Sequence, residues 1–146
     1  MDDANAPSLA SLAYLGCLRD DKAKLVFRNT KNLVYSAANP FYFEGKNSGL
    51  TGVGSLHVGY GMIWPLSIIY DLFDDDKADW EVLHGLEKLK RSAAGTQCMH
   101  ESFWMDDPSV YTRPWFAWAN SAFGELVLHL LKTKPHLLLK TNVTST

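Results

Sequence analysis

At 146 residues the chain is long enough to bury one ordinary core, and 47% hydrophobic with 21% charged residues is a globular composition rather than a disordered or fibrous one. A formal net charge of −2 supplies no field for gathering nucleic acid or anionic lipid. Two cysteines, Cys17 and Cys98, are too few and too far apart for a disulfide framework or a zinc knuckle, and they read as buried free thiols.

No apolar run approaches the roughly 20 residues that a membrane span requires. The start, Met1-Asp2-Asp3, lacks the basic and apolar segments of a secretory leader, and the compartment stays open. Asn5 and Pro7 suit a helix start, with Leu9, Leu12, Leu15 and Leu18 as its stripe. Asp20 caps a second helix, striped by Leu25, Val26, Leu33 and Val34 and ending before Asn39-Pro40. Phe41-Tyr42-Phe43 is a short extended piece. Six glycines from Gly45 to Gly61 argue against helix or sturdy strand and read as a long functional loop.

Pro65 opens a third helix that Asp74-Asp75-Asp76 ends, the same cluster capping a fourth over 77–94. That fourth helix is amphipathic, acidic at its start and basic at its end. A fifth runs from Pro114 to about Lys134 and is apolar on nearly every side, as a helix buried all round would be. No two strands are read that would make a sheet. The expected fold is therefore all-α: helical hairpins with long functional loops at one end, a partial α/α toroid of five helices that cannot close a ring of twelve. Residues 1–140 form this part of a domain and 141–146 a polar tail. Asn142-Val143-Thr144 is formally a glycosylation sequon.

The chemistry concentrates in 98–125, where three of the five tryptophans (Trp104, Trp115, Trp118) stand among His100, Glu101, Asp106, Asp107, Arg113 and Asn120. Hydroxyl-binding polar groups alternating with flat aromatic faces suit the wall of a sugar site. Glu101, flanked by His100 and Trp104, is either a solvated charge or a carboxylate placed for general acid–base work. Asp106 and Asp107 precede Pro108 as a turn would require. Arg113 is either an ion-pair partner of one of them or a donor to sugar hydroxyls. Trp104 or Tyr111 is a candidate stacking platform, Trp115 and Trp118 suit the core, and Asn120 needs buried partners. His57, in Val53-Gly54-Ser55-Leu56-His57, is a second candidate. No Gly-Lys-Ser/Thr accompanies that loop, so phosphate binding is poorly supported. Capping explains Asp2, Asp3 and Asn5 adequately.

At these residues the sequence resembles glycoside hydrolase family 125, the metal-independent exo-α-1,6-mannosidases. The matching pieces are MDDANAPSL at 1–9, NPFYFEG at 39–45, GVGSLH and MIWPLSII within 52–69, and MHESFW…DDP…YTRPWFAWANSAFGEL at 99–126. Leu56 departs from the pattern, which leads one to expect Pro before the His. The resemblance implies an (α/α)6 catalytic domain, no metal or other cofactor, and hydrolysis of terminal α-1,6-linked mannose with inversion. It makes Glu101 the general base and adds His57, Arg113, Trp118, Asn120, Trp104 and Asp3 as substrate-binding positions. It also implies a general acid upstream of the MDDAN motif. The chain is then expected to be a C-terminal fragment or a truncated gene product, inactive alone, with apolar surface left exposed for self-association; the alternatives are a non-catalytic carbohydrate-binding remnant or a nonfunctional product. Its partner is a mannose-containing oligosaccharide, with no nucleic acid and no membrane.

Overall fold

The computed structural model describes residues 2–139; the polar tail and the sequon lie outside them. Among the described residues are the helices α1 (Asp21–Val34), α2 (Pro65–Asp71), α3 (Asp79–Ser92) and α4 (Ala117–Thr133). Between them lie the strands β1 (Tyr42–Glu44), β2 (Thr51–Val53), β3 (Met62–Ile63), β4 (Ser102–Trp104) and β5 (Asp107–Thr112). β1 and β2 pair antiparallel, with Phe43 opposite Gly52, and β3-β4-β5 form a second antiparallel sheet through Ile63–Phe103 and Phe103–Tyr111. The fold is mixed α/β, so the expected all-α partial toroid is wrong.

The glycines explain the misreading. Gly45, Gly52, Gly54 and Gly61 mark close approach of the chain to its neighbours rather than a loose loop. A Cβ on Gly52 would lie 2.6 Å from Ile63 Cγ2, and one on Gly54 would run into the Met62 carbonyl. Strands of two or three residues also hold too few alternating positions to register as period-two patterns.

The core gathers on α2, whose residues Pro65 to Tyr70 are all buried. Trp64 precedes it in extended conformation and Pro65 takes the first helical position, where a missing N–H costs nothing. Ser67 ties this helix to the first sheet, accepting from the Val53 amide at 3.0 Å and donating to the Trp64 carbonyl at 2.9 Å. α3 packs on α2 through Val82, Gly85 and Leu89, with Gly85 pressed against Leu72. α4 adds a stripe of Ala119, Ala122, Leu126 and Leu130 at three- and four-residue steps. Its remaining faces are open: Leu128 is 69% and Leu131 39% exposed, and Trp115, just before the helix, is 63% exposed, so the expectation of a helix buried all round is also corrected.

α1 follows the sequence reading in its position and cap, with Asp20 Oδ1 accepting the Ala23 amide at 2.7 Å, but not in its stripe: Leu25, Val26 and Leu33 are exposed, and Phe27 and Val34 are the buried residues. The first expected helix shrinks to a 3-10 turn, Ala10–Leu12. Ser8 and Ser11 exchange side-chain bonds with each other's backbone, competing with a helical ladder, and Gly16 turns the chain at φ +69°. The cap of α3 is Ala78, whose N–H is received by Glu81 at 2.8 Å. Of the aspartates expected there, Asp74 is instead buried against Lys31 Nζ at 2.6 Å. Cys17 and Cys98 are free thiols, but neither is buried: Cys17 is exposed and Cys98 half-buried. No helix of the described residues is long and apolar enough to cross a membrane.

Candidate active site

β4 and β5 make a hairpin whose open end carries Glu101 on one side and Thr112-Arg113 on the other. The Glu101 amide bonds the Thr112 carbonyl at 3.3 Å, which fixes the two arms in register. Its side chain is buried, only 5% exposed, and its two oxygens differ in role. Oε2 accepts from Thr112 Oγ1 at 3.1 Å and faces Arg113 Nε at 3.3 Å. Oε1 has no donor among the described residues, yet it is not a sealed, unsatisfied atom, so it opens to solvent. Thr112 Oγ1 lies 2.7 Å from Ser102 Oγ. With its proton given to Glu101, Thr112 takes the one from Ser102, so both hydroxyls point toward the carboxylate.

The frame behind Glu101 is rigid. His100 is fully buried and lies flat on Tyr111, ring centres 3.7 Å apart and 7° from parallel. Its Nδ1 sits 2.6 Å from the Pro114 carbonyl, which holds the turn at Arg113. Asn120, on the first turn of α4, donates to the carbonyls of Met99 and Phe116, both at 2.8 Å, and accepts the Met99 amide at 3.0 Å.

An aromatic row then links the remaining candidates. His57 meets Trp64, Trp64 meets Phe116, and Phe116 meets Trp118, each with ring centres 6.3 Å apart. The Arg113 guanidinium lies over Phe116 at 5.7 Å. Trp118 is 40% exposed and gives its N–H to the buried Tyr70 hydroxyl at 3.1 Å. Asp3 accepts from the Asn5 amide, the Asn5 carboxamide and the Ser55 hydroxyl, while Ser55 receives the His57 amide at 3.2 Å. The N-terminal motif thus braces the His57 loop. Trp104 points elsewhere: its ring covers Gly61, where any Cβ would collide with it.

The structure therefore links Glu101, Arg113, Trp118 and His57 through a row of rings that passes by way of buried Trp64, with Asn120 and Asp3 supporting its ends and Trp104 packed beside the β3 turn. Arg113 pairs with Glu101 rather than with an aspartate. Asp107 instead receives the Ser109 hydroxyl and amide, which hold its carboxyl below the usual range. Thr112, Phe116 and Tyr70 were missed. Their signal was positional, visible only once the hairpin and the aromatic row are assembled.

A buried carboxylate with one oxygen clamped and the other open, beside an exposed arginine and an exposed indole, is the equipment of a carbohydrate-hydrolase site. The chain belongs to the metal-independent α-mannosidase family, GH125, whose model it matches over residues 1–128. It is 47% identical over 142 residues to the meiotically up-regulated gene 157 protein of Schizosaccharomyces pombe, across 96% of this chain and 27% of that protein. It also resembles a Streptococcus pneumoniae metal-independent α-mannosidase, solved in a non-productive complex with α-1,6-mannobiose, at TM-score 0.79 and 38% identity. That match covers 90% of this chain and 30% of the other, so the chain spans less than a third of either relative.

Proposed function

We propose that this chain carries the water-activating side of an inverting exo-α-1,6-mannosidase site, as the C-terminal part of a GH125 catalytic domain. The observation that carries the reading is the asymmetry at Glu101. Thr112 and Arg113 hold Oε2, which keeps the carboxylate oriented, and Oε1 is left to take a proton from water. In inversion that water attacks the anomeric carbon from the face opposite the leaving oxygen. A second carboxyl, about 6.5–9.5 Å from the first, gives its proton to that oxygen as the bond breaks.

In this reading His57, Arg113 and Trp118 touch the sugar: the guanidinium and imidazole bond hydroxyls, and the indole covers a C–H face. Asp3, Asn120 and Trp104 contribute through the loops they hold. The acid is a separate matter. Glu101 and Asp74 are the buried carboxylates among the described residues, and Asp74 is bound to Lys31. Asp3 already accepts from three donors. In keeping with the family resemblance, the acid in this reading comes from outside these residues, and the 146-residue polypeptide by itself binds a terminal α-1,6-mannoside without turning it over.

The test is to incubate the purified chain with α-1,6-mannobiose, follow free mannose by chromatography, and measure binding by calorimetry. Binding without release is expected, weakened by Arg113→Met. Release that Glu101→Gln abolishes would sink the claim of inactivity, and absence of binding would sink the sugar site.

A further inference from the structure

A cavity of about 190 Å³ lies between α3, the end of α2 and β2, and shares no residue with the Glu101 site. Trp80, His84 and Lys88 line it from one face of α3, at successive four-residue steps. Lys88 gives one of its three protons to the Thr51 hydroxyl at 2.6 Å and has no carboxylate within ion-pair distance among the described residues. Burial pushes its ammonium below the ordinary lysine value. Across the cavity, Lys77 bonds Asp71 at 2.9 Å and stands 4.0 Å from Glu81. Trp80 is 70% exposed, an unusual position for an indole with nothing packed over it.

Two lysines against two carboxylates leave the cavity with no net charge. An anion drawn by Lys88 would meet Asp71 and Glu81 as well, so a phosphate or carboxylate is a poor occupant. What the lining offers is donors and acceptors in balance beside one flat apolar face. That combination matches a neutral polyhydroxylated ring, whose hydroxyls both give and take hydrogen bonds and whose C–H face stacks on an aromatic.

We propose that this cavity is a separate binding site for a single neutral hexopyranose unit, with Trp80 as the platform and Lys88 as the principal donor. It holds saccharide without chemistry and does not depend on the role given to Glu101.

The test is a pair of NMR titrations on the intact ¹⁵N-labelled chain, one with methyl α-mannoside and one with inorganic phosphate. The glycoside is expected to move the Trp80 indole N–H and the His84 and Lys88 amides saturably in the millimolar range. Affinity should fall at least tenfold in Trp80→Ala and in Lys88→Met, and stay unchanged in Glu101→Gln. Trp80 is exposed and Lys88 half-buried, and the amide spectra of the free variants verify that the core is intact. Shifts with phosphate but not glycoside overturn the proposal, as do glycoside shifts that survive both substitutions. Shifts confined to residues around Glu101 and lost in Glu101→Gln overturn it too, while supporting the first site.

Discussion

Arg113 meets Glu101 from a left-handed backbone: at φ +44° it turns the chain out of β5 and places Nε 3.3 Å from Oε2. A non-glycine residue in that region costs on the order of 1–2 kcal/mol and persists where its surroundings hold it. Here the grip of His100 on the Pro114 carbonyl does so. Arg113→Gly relieves the strain while losing a half-exposed ion pair and loosening the unfolded chain. Stability should therefore stay within about 1 kcal/mol of the parent, while affinity for α-1,6-mannobiose falls about tenfold or more. Thermal unfolding and calorimetry on the same preparation check it, and a large loss of stability would mark the turn as structural only.

Gly61 combines two constraints, a φ of +80° and the Trp104 ring against its α-carbon. Gly61→Ala must pay the left-handed penalty and displace an indole from its seat. A loss of about 2–4 kcal/mol is expected in urea unfolding, with a red shift in tryptophan emission as Trp104 gains water. An unshifted spectrum would show that the ring is not held there.

Asp2 offers a pH test. Burial raises its carboxyl above the usual 3.8, against the opposing pull of the Leu9 and Ala10 amides. The folded chain then binds the proton more readily than the unfolded one, so stability falls as pH rises through the window above 3.8, and the deficit persists at neutral pH. Asp2→Asn keeps an acceptor for the Leu9 amide and removes the charge. It should unfold at a higher temperature than the parent at pH 7, and the gap should close below pH 3.8. A gap independent of pH would refute the assignment.

On α1, Val26 and Leu33 are 54% and 50% exposed and stand seven residues apart on one face. We propose that these two residues mediate self-association of the isolated chain, since exposed apolar side chains sharing a helix face seek cover. Sedimentation should show a multimer that Val26→Lys with Leu33→Lys converts to monomer. A parent chain that sediments as a monomer, or a multimer that survives both changes, rules the pair out.

The helices were legible where local chemistry sufficed: Asp20 before α1, Pro65 at the start of α2, and the acidic start and basic end of α3. Strand pairing was not, because β1, β2 and β3 each hold two or three residues, and β3 takes its partner, Phe103, from distant sequence. Glu101 stood out through its aromatic neighbours, and its pairing with Arg113 required the hairpin that brings residues 101 and 112 together. Asn120 was legible as a buried amide in need of partners. That those partners would be three backbone groups follows only from seeing α4 beside the Met99 strand.

The Asn120 carboxamide meets both the amide and the carbonyl of Met99, as the edge of a neighbouring strand would. A helix side chain thereby stands in for a missing β-partner just where the chain runs into Glu101. The general-base candidate is in effect bolted to α4, and its position is set by a helix whose outer face, at Leu128 and Leu131, lies open. Whatever protein surface comes to cover that outer face acquires a mechanical hold on the carboxylate at the far end.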